Sequence, residues 1–207
     1  KMPKLDLEKL TKSKVEGKVK QIEALQGVKM NSLKFEDFIS PDFDDSKLPA
    51  LDVPNQWEAQ VLGDVDGVVW YRKVINLTAS QAGKLGTLSL AKIDDNDVTY
   101  INGTEIGKTN RWDAPRIYGI AAGVLKEGEN TIVVKVTDTG GGGGIYGDAS
   151  DVKLTLGKET VSLAGKWKVQ VENIAARTSE NEFPSLAYNA MINPLVPYAF
   201  RGALWYQ

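Results

Sequence analysis

Between Asn110 and Ile120 the chain reads NRWDAPRIYGI, which places Trp112, Arg116 and Tyr118 in one short stretch. A sugar offers an apolar ring face surrounded by hydroxyls. An aromatic side chain that stacks on the face, with Arg and Asp taking hydroxyls or a sugar carboxylate, is therefore the residue set of a glycan-contacting loop. The same residues also have a purely architectural reading. Neighbouring carboxylates can hold Arg116 while Trp112 and Tyr118 cover the edge of a sheet, and the sequence leaves both readings open.

The run DTGGGGGIYGD, from Asp138 to Asp148, holds five consecutive glycines. Bare backbone of this kind can approach a ligand closely, and a glycine-rich loop cradles phosphate when it opens a helix and is followed by Lys. This one precedes Ile145-Tyr146-Gly147 and lacks that Lys, so a connector between strands is the simpler reading. Asp94, Asp95, Asn96 and Asp97 form an acidic cluster before a strand. Calcium-loop spacing with its closing Glu is not met, and turn chemistry accounts for the cluster. No metal and no cofactor are expected. Asn76-Leu77-Thr78 and Asn102-Gly103-Thr104 match the glycosylation acceptor pattern, but both fall where strand ends and turns would place such residues anyway.

Two absences limit the chemistry further. The chain has no Cys, which removes disulfides, thiolate catalysis and Cys-rich zinc sites, and no His, the usual general base for a serine nucleophile. A Ser-His-Asp machine cannot be assembled from these residues alone.

The elements that must position these residues are mainly strands. DGVVWYRKVINL, GTLSLAKI, VTYINGTEIG, NTIVVKVTD, DVKLTLG and GKWKVQV are β-branched, aromatic or alternating, and Asn102-Gly103 is a hairpin signal. Trp57, Trp70 and Trp167 sit in strand-like contexts and are expected in the core. Six or more strands at short spacing, with no amphipathic helix between them, predict an all-β antiparallel sandwich. Before them, KLDLEKLTKSKVEGKVKQIEALQ carries Val15, Val19 and Ile22 at helical spacing, as one helix or as two divided near Gly17. ISPDFDDSKLPALDVPNQW, acidic and proline-bearing, reads as extended loop. After Val171 the pattern turns irregular, then apolar, with a short helix and a final strand near Gly202 to Tyr206 expected.

Length and composition agree with a globular protein. The 207 residues are 42% apolar and 25% charged, and the net charge of -2 argues against a nucleic-acid partner. The lysines of the first thirty residues are read as the wet face of a helix. No apolar run approaches the ~18 residues of a membrane span, so no membrane partner is expected.

GVVWYRKVINL, LAKIDDNDVTYINGTEIGKT, RIYGIAAGVLKEGENTIVVKV and SLAGKWKV together resemble the sugar-binding jelly-roll domain of the β-galactosidase family. The tail YNAMINPLVPYAFRGALWYQ is similar to the segment of bacterial sialate O-acetylesterases that leads into their Gly-Glu-Ser-Asn loop. That family inserts a jelly roll into a Ser-Gly-Asn-His-type α/β hydrolase domain. The resemblance implies a galactose-binding-like jelly roll at 38-172, flanked by a helical stub and linker at 1-37 and by a linker and returning hydrolase segment at 173-207. It implies a carbohydrate esterase as parent, acting on O-acetylated sialic acid or another acetylated sugar, and a periplasmic or secreted location.

The resemblance also implies that Gly142, Gly143 and Gln207 lie near the parent's active site, and that the remaining hydrolase segments are partners of this chain. The family's catalytic Ser, oxyanion-hole Asn, Asp and His match no positions here, so the chain is expected to be an internal fragment, inactive by itself. The alternatives are a non-catalytic carbohydrate-binding module and a structural sandwich used for packing.

Overall fold

The computed structural model describes residues 6–32, 34–40, 42–175, 191–197 and 199. The chain divides into two units, Val15–Ala175 and Lys1–Lys14 with Ala176–Gln207. In the second unit the described residues are the start of the first helix and a 3-10 turn at Asn193–Leu195, opened by Pro194. The strand expected near Gly202 to Tyr206, and Gln207 itself, lie outside the described residues.

Helix α1 (Leu7–Gln26) is one continuous element. Gly17 does not divide it, and the position faces open space, with nothing within 4 Å of a Cβ placed there. The C-terminal half of α1 joins the sandwich. Ile22 is 2% exposed in the main core, and the Gln26 amide both accepts from Val171 N at 3.0 Å and donates to Val171 O at 3.4 Å. The compact unit therefore begins earlier than the 38-172 expected for the jelly roll.

Helix α2 (Phe35–Ile39) ends where the stretch expected to be loop begins, and that stretch contains β1 (Ala50–Val53) and β2 (Asn55–Gln56). Four- and two-residue strands beside Pro49 and Pro54 carry no readable period; pairing of β1 with the last strand defines it. The remaining strands are β3 (Asp66–Leu77), β4 (Gly86–Asp94), β5 (Asn96–Ile101), β6 (Thr104–Thr109), β7 (Pro115–Ile120), β8 (Gly128–Asp138), β9 (Gly144–Tyr146), β10 (Val152–Leu156), β11 (Glu159–Ser162) and β12 (Gly165–Ala175). A one-turn helix, α3 (Ala79–Ala82), follows β3 and is held by a reciprocal capping box between Thr78 and Gln81.

The described strands form two sheets in which every pairing is antiparallel. The first runs β1-β12-β3-β8-β5-β6; the second runs β11-β10-β4-β9-β2, with β7 also on β4. Leu51, Tyr71, Val134, Val169 and Trp167 from the first sheet meet Leu88, Leu90, Ile93, Ile145 and Leu154 from the second in one core. Trp57 and Trp167 are fully buried, as expected, whereas Trp70 is half-buried beneath α2. That cover also explains Val133, which alternation places outside: Phe38 and Leu48 bury it in a second, smaller cluster. Asn102 and Gly103 adopt φ of 50° and 81°, the two left-handed residues a type I′ hairpin needs. The architecture is the antiparallel sandwich predicted from the strand pattern, in the jelly-roll form that the resemblance implies. No described helix is long and apolar enough to cross a membrane.

Candidate functional site

The residues Trp112, Arg116 and Tyr118 lie where β6 and β7 meet at one side of the sandwich. Alternation along β7 turns Arg116, Tyr118 and Ile120 inward and Pro115, Ile117 and Gly119 outward. Arg116 is 0% exposed, and all five of its N–H groups are used within the fold. Nε donates to Asp97 Oδ1 at 2.7 Å, Nη2 to the carbonyls of Ile93 (2.7 Å) and Asp95 (2.9 Å), and Nη1 to those of Arg111 and Ala114. Tyr118 donates its hydroxyl to Asp97 at 2.9 to 3.0 Å and accepts from Thr109 at 2.9 Å. Gly107 makes room for the Tyr118 ring, since a Cβ there would lie 2.2 Å from it.

Asp97, also buried, takes a third bond from Thr99 at 2.7 Å. Burial raises its pKa, opposed by the bonds from Thr99, Arg116 and Tyr118. Burial likewise pushes the Tyr118 phenol up, so its proton stays in place. Arg116 and Tyr118 thus act inside the fold, the architectural reading left open by the sequence. A sugar in solution cannot reach a guanidinium with no exposed surface.

This network gives Trp112 a fixed base. Arg116 grips the Arg111 and Ala114 carbonyls on either side of it, Arg111 and Asp113 pair above at 2.9 Å, and the indole projects outward with 59% of its surface exposed. Tyr146 donates its hydroxyl to the Trp112 carbonyl at 2.8 Å. Beside this corner the outer face of the second sheet carries a groove of about 410 Å³, lined among others by Ser89, Lys92, Ile117, Tyr146, Asp148 and Asp151. The recess arises where β4 bulges. Ala91 turns to φ +52° between Ser89 and Lys92, and the register against β7 shifts there. Gly147, at φ +122°, brings its backbone against Ala91, where a Cβ would sit 3.2 Å from the Ala91 Cβ. Ile117 is 63% exposed on the groove wall. Asp148 has its pKa lowered by its hydrogen bonds from Ser150, so it is an anion at neutral pH. An apolar platform with charged and hydroxyl groups around it can stack on a ring and bond its substituents.

The glycine run is held by carboxylates. Asp95 accepts from Thr139 N (2.9 Å) and Thr139 Oγ1 (2.6 Å), Asp138 from Gly140 N (2.7 Å), and Glu58 from Gly143 N (3.0 Å). The Gly143 carbonyl in turn accepts from Trp57 N at 3.0 Å. A side chain is excluded at Gly143, where a Cβ would lie 2.1 Å from the Trp57 ring, whereas at Gly142 it would meet only the movable end of the exposed Gln56 side chain at 2.2 Å. A phosphate would find these backbone donors occupied by anions, which removes the cradle reading. Asp94, raised chiefly by burial and then by Asp95, Asp138 and Glu58, reaches about 7. Among the described residues no group of three or more His, Cys, Asp or Glu side chains is placed to hold a metal.

Sequence reasoning missed Tyr146, Lys92, Ile117, Asp148 and Asp151 as a group. Tyr146 and Asp148 stand in the glycine-rich stretch, but the groove exists only because β4, β7, β9 and the turn before β10 converge around the bulge.

No protein-family model matches the chain, and no curated protein does. Among solved structures, the chain is similar to a glycosyl hydrolase family 2 member from Bacteroides cellulosilyticus (21% identity over 66% of this chain and 19% of that one, TM-score 0.47). It is similar to beta-glucuronidase 2 of Bacteroides uniformis (20% identity, 68% of this chain, 16% of that one, TM-score 0.46). The third is a beta-glucuronidase from an uncultured Clostridium (24% identity, 49% of this chain, 18% of that one, TM-score 0.42). The matched stretch spans less than a fifth of each of those chains.

Proposed function

We propose that this chain is the sugar-contacting jelly-roll module of a carbohydrate-active enzyme, with Trp112 and Ile117 as the stacking surface and Lys92, Tyr146, Asp148 and Asp151 as the polar contacts. The observation that carries this reading is the outward Trp112, 59% exposed on a base that Arg116 and Tyr118 hold rigid, beside a groove of about 410 Å³. Exposing a large indole in water brings no folding gain, whereas stacking on a sugar face recovers it. In this arrangement Arg116 and Tyr118 are positioning residues, and Trp112 alone of the three touches ligand.

The finer reading concerns the parent enzyme. The resemblance of the tail Tyr188 to Gln207 to sialate O-acetylesterases supports a parent that removes O-acetyl groups from sialic acid or a related sugar through a serine acyl-enzyme, with Gly142, Gly143 and Gln207 near its active site. The absence of His leaves this chain without the usual base, so acetylated and deacetylated sugars should both bind unchanged.

The test is a titration of the isotope-labelled chain with sialic acid, its O-acetyl form and neutral hexoses, followed by NMR. Expected are millimolar binding, shifts at Trp112, Ile117 and Tyr146, and roughly tenfold weaker binding in Trp112→Ala, equivalent to about 1.4 kcal/mol. Flat signals at these positions with every sugar would refute the module reading.

A further inference from the structure

The outer face of the first sheet holds a second groove, also of about 410 Å³, that the reading above does not use. Arg72, Lys73, Lys166 and Lys168 line it together with Asp45 and Glu129, so four cations face two carboxylates in a chain whose net charge is -2. The strands bring the cations together directly, since Lys168 on β12 pairs with Arg72 on β3. Like charges placed opposite each other on neighbouring strands repel, and the arrangement is retained only where something offsets them.

The internal partners offset part of this charge. Asp45 pairs with Arg72, whose guanidinium is also fixed by the carbonyls of Phe38 (3.1 Å) and Ser40 (3.0 Å). Lys166 pairs with Asp52 at 2.8 Å, but both side chains are more than half exposed and the pair is readily exchanged in water. Lys73 and Lys168 have carbonyls as partners: Lys166 O for the first (2.9 Å), Ser46 O and Leu48 O for the second (3.1 and 2.9 Å). Neither forms an ion pair among the described residues. Lys168 contributes only weakly to holding Asp44 down, after the bonds from Ser46 and the charge of Lys47. Partial burial lowers the pKa of Lys73, the expected response of an ammonium group removed from water without a counter-charge. Phe43 supplies an apolar wall, with the Arg72 guanidinium 5.7 Å from its ring centre.

We infer that this groove binds an oxyanion group carried on a sugar, a carboxylate or a sulfate ester, between Lys73 and Lys168, with the ring against Phe43. The oxyanion part stands on the charges alone, while the sugar part rests on the carbohydrate reading. A bound anion would supply a counter-charge to ammonium groups whose hydrogen-bond partners are carbonyls, and such charge-assisted bonds are the stronger kind.

The test uses the full chain, with a sulfated disaccharide, glucuronate, the unsulfated disaccharide and inorganic sulfate as probes in the same NMR titration. Expected are shifts at Lys73, Lys168 and Phe43 with the two acidic sugars, little response to the neutral one, and a steep loss of binding near 1 M salt, where the Debye length is about 3 Å. Lys73→Gln with Lys168→Gln should weaken the acidic sugars at this groove about tenfold while leaving the response of Trp112 to neutral hexoses unchanged. Lys73→Gln alone serves if the double variant does not fold. Shifts that are absent from these positions, or that persist unchanged in the lysine variants, would overturn the site. Inorganic sulfate binding as tightly as the sulfated sugar would overturn the sugar part. A silent Trp112 groove beside a responding lysine groove would count against the module reading and leave this one standing.

Discussion

Replacing Arg116 by Met tests whether the predicted glycan arginine is an architectural residue. The substitution removes a side chain of similar length whose charge is fully buried against Asp97, both being 0% exposed at 2.7 Å. What remains is a buried carboxylate with Thr99 and Tyr118 as donors, and four carbonyls, at Ile93, Asp95, Arg111 and Ala114, deprived of theirs. Breaking a buried pair from one side costs about 3–5 kcal/mol, because the surviving charge keeps its desolvation penalty and loses its partner. For a domain of this size that corresponds to a fall in Tm of roughly 6–20 °C. Arg116→Lys keeps the charge but replaces the planar fork with a point donor, and should fall between the unmodified chain and Arg116→Met. Asp97→Asn keeps an acceptor for Nε and should cost less than Arg116→Met. Urea unfolding followed by Trp fluorescence, with circular dichroism for Tm, measures all three. A fall below about 2 °C in Arg116→Met would refute the reasoning, and unchanged stability with lost sugar binding would make Arg116 a ligand contact after all.

Three further outcomes are expected. Asp94, with a folded pKa of about 7 against 3.8 when unperturbed, holds a proton in the native state that the unfolded chain has released, so its contribution to stability is full below about pH 4 and is lost as pH rises to 7. The Tm advantage of Asp94→Asn over the unmodified chain should therefore grow from pH 4 to 7 and then level; a difference constant across that window refutes the assignment. Gly143→Ala sets a methyl 2.1 Å from a Trp57 ring that is fully buried and anchored to Val65 O at 2.9 Å, so a loss of at least about 2 kcal/mol is expected by urea unfolding. Gly119→Ala, where a Cβ meets nothing within 4 Å, is the control and should stay within about 0.5 kcal/mol. Trp112→Ala should leave Tm within about 2 °C, because an indole 59% exposed contributes little to the core; a larger fall would make Trp112 a packing residue.

The strand composition of this protein was legible because strands write their two-residue period into sequence. DGVVWYRKVINL is β3 to the residue, NTIVVKVTD lies within β8, and Asn102-Gly103 is the hairpin turn. The short strands β1 and β2 were not legible, since four and two residues leave no period and their strand character comes from distant partners on β12 and β9. Val133 shows the same limit, because alternation sets it on the face opposite Ile132 and Val134 and only the return of Phe38 and Leu48 buries it. At the candidate site, sequence identified the chemistry of Trp112, Arg116 and Tyr118 but not which of them faces solvent. The inward side of β7 decides that: it hands Arg116 and Tyr118 to Asp97 and leaves Trp112 outside. Residue type fixes what a side chain can do, and local periodicity fixes which strands form. Only the tertiary pairing determines which charged groups find partners inside, because burial and counter-charge come from residues far apart along the chain.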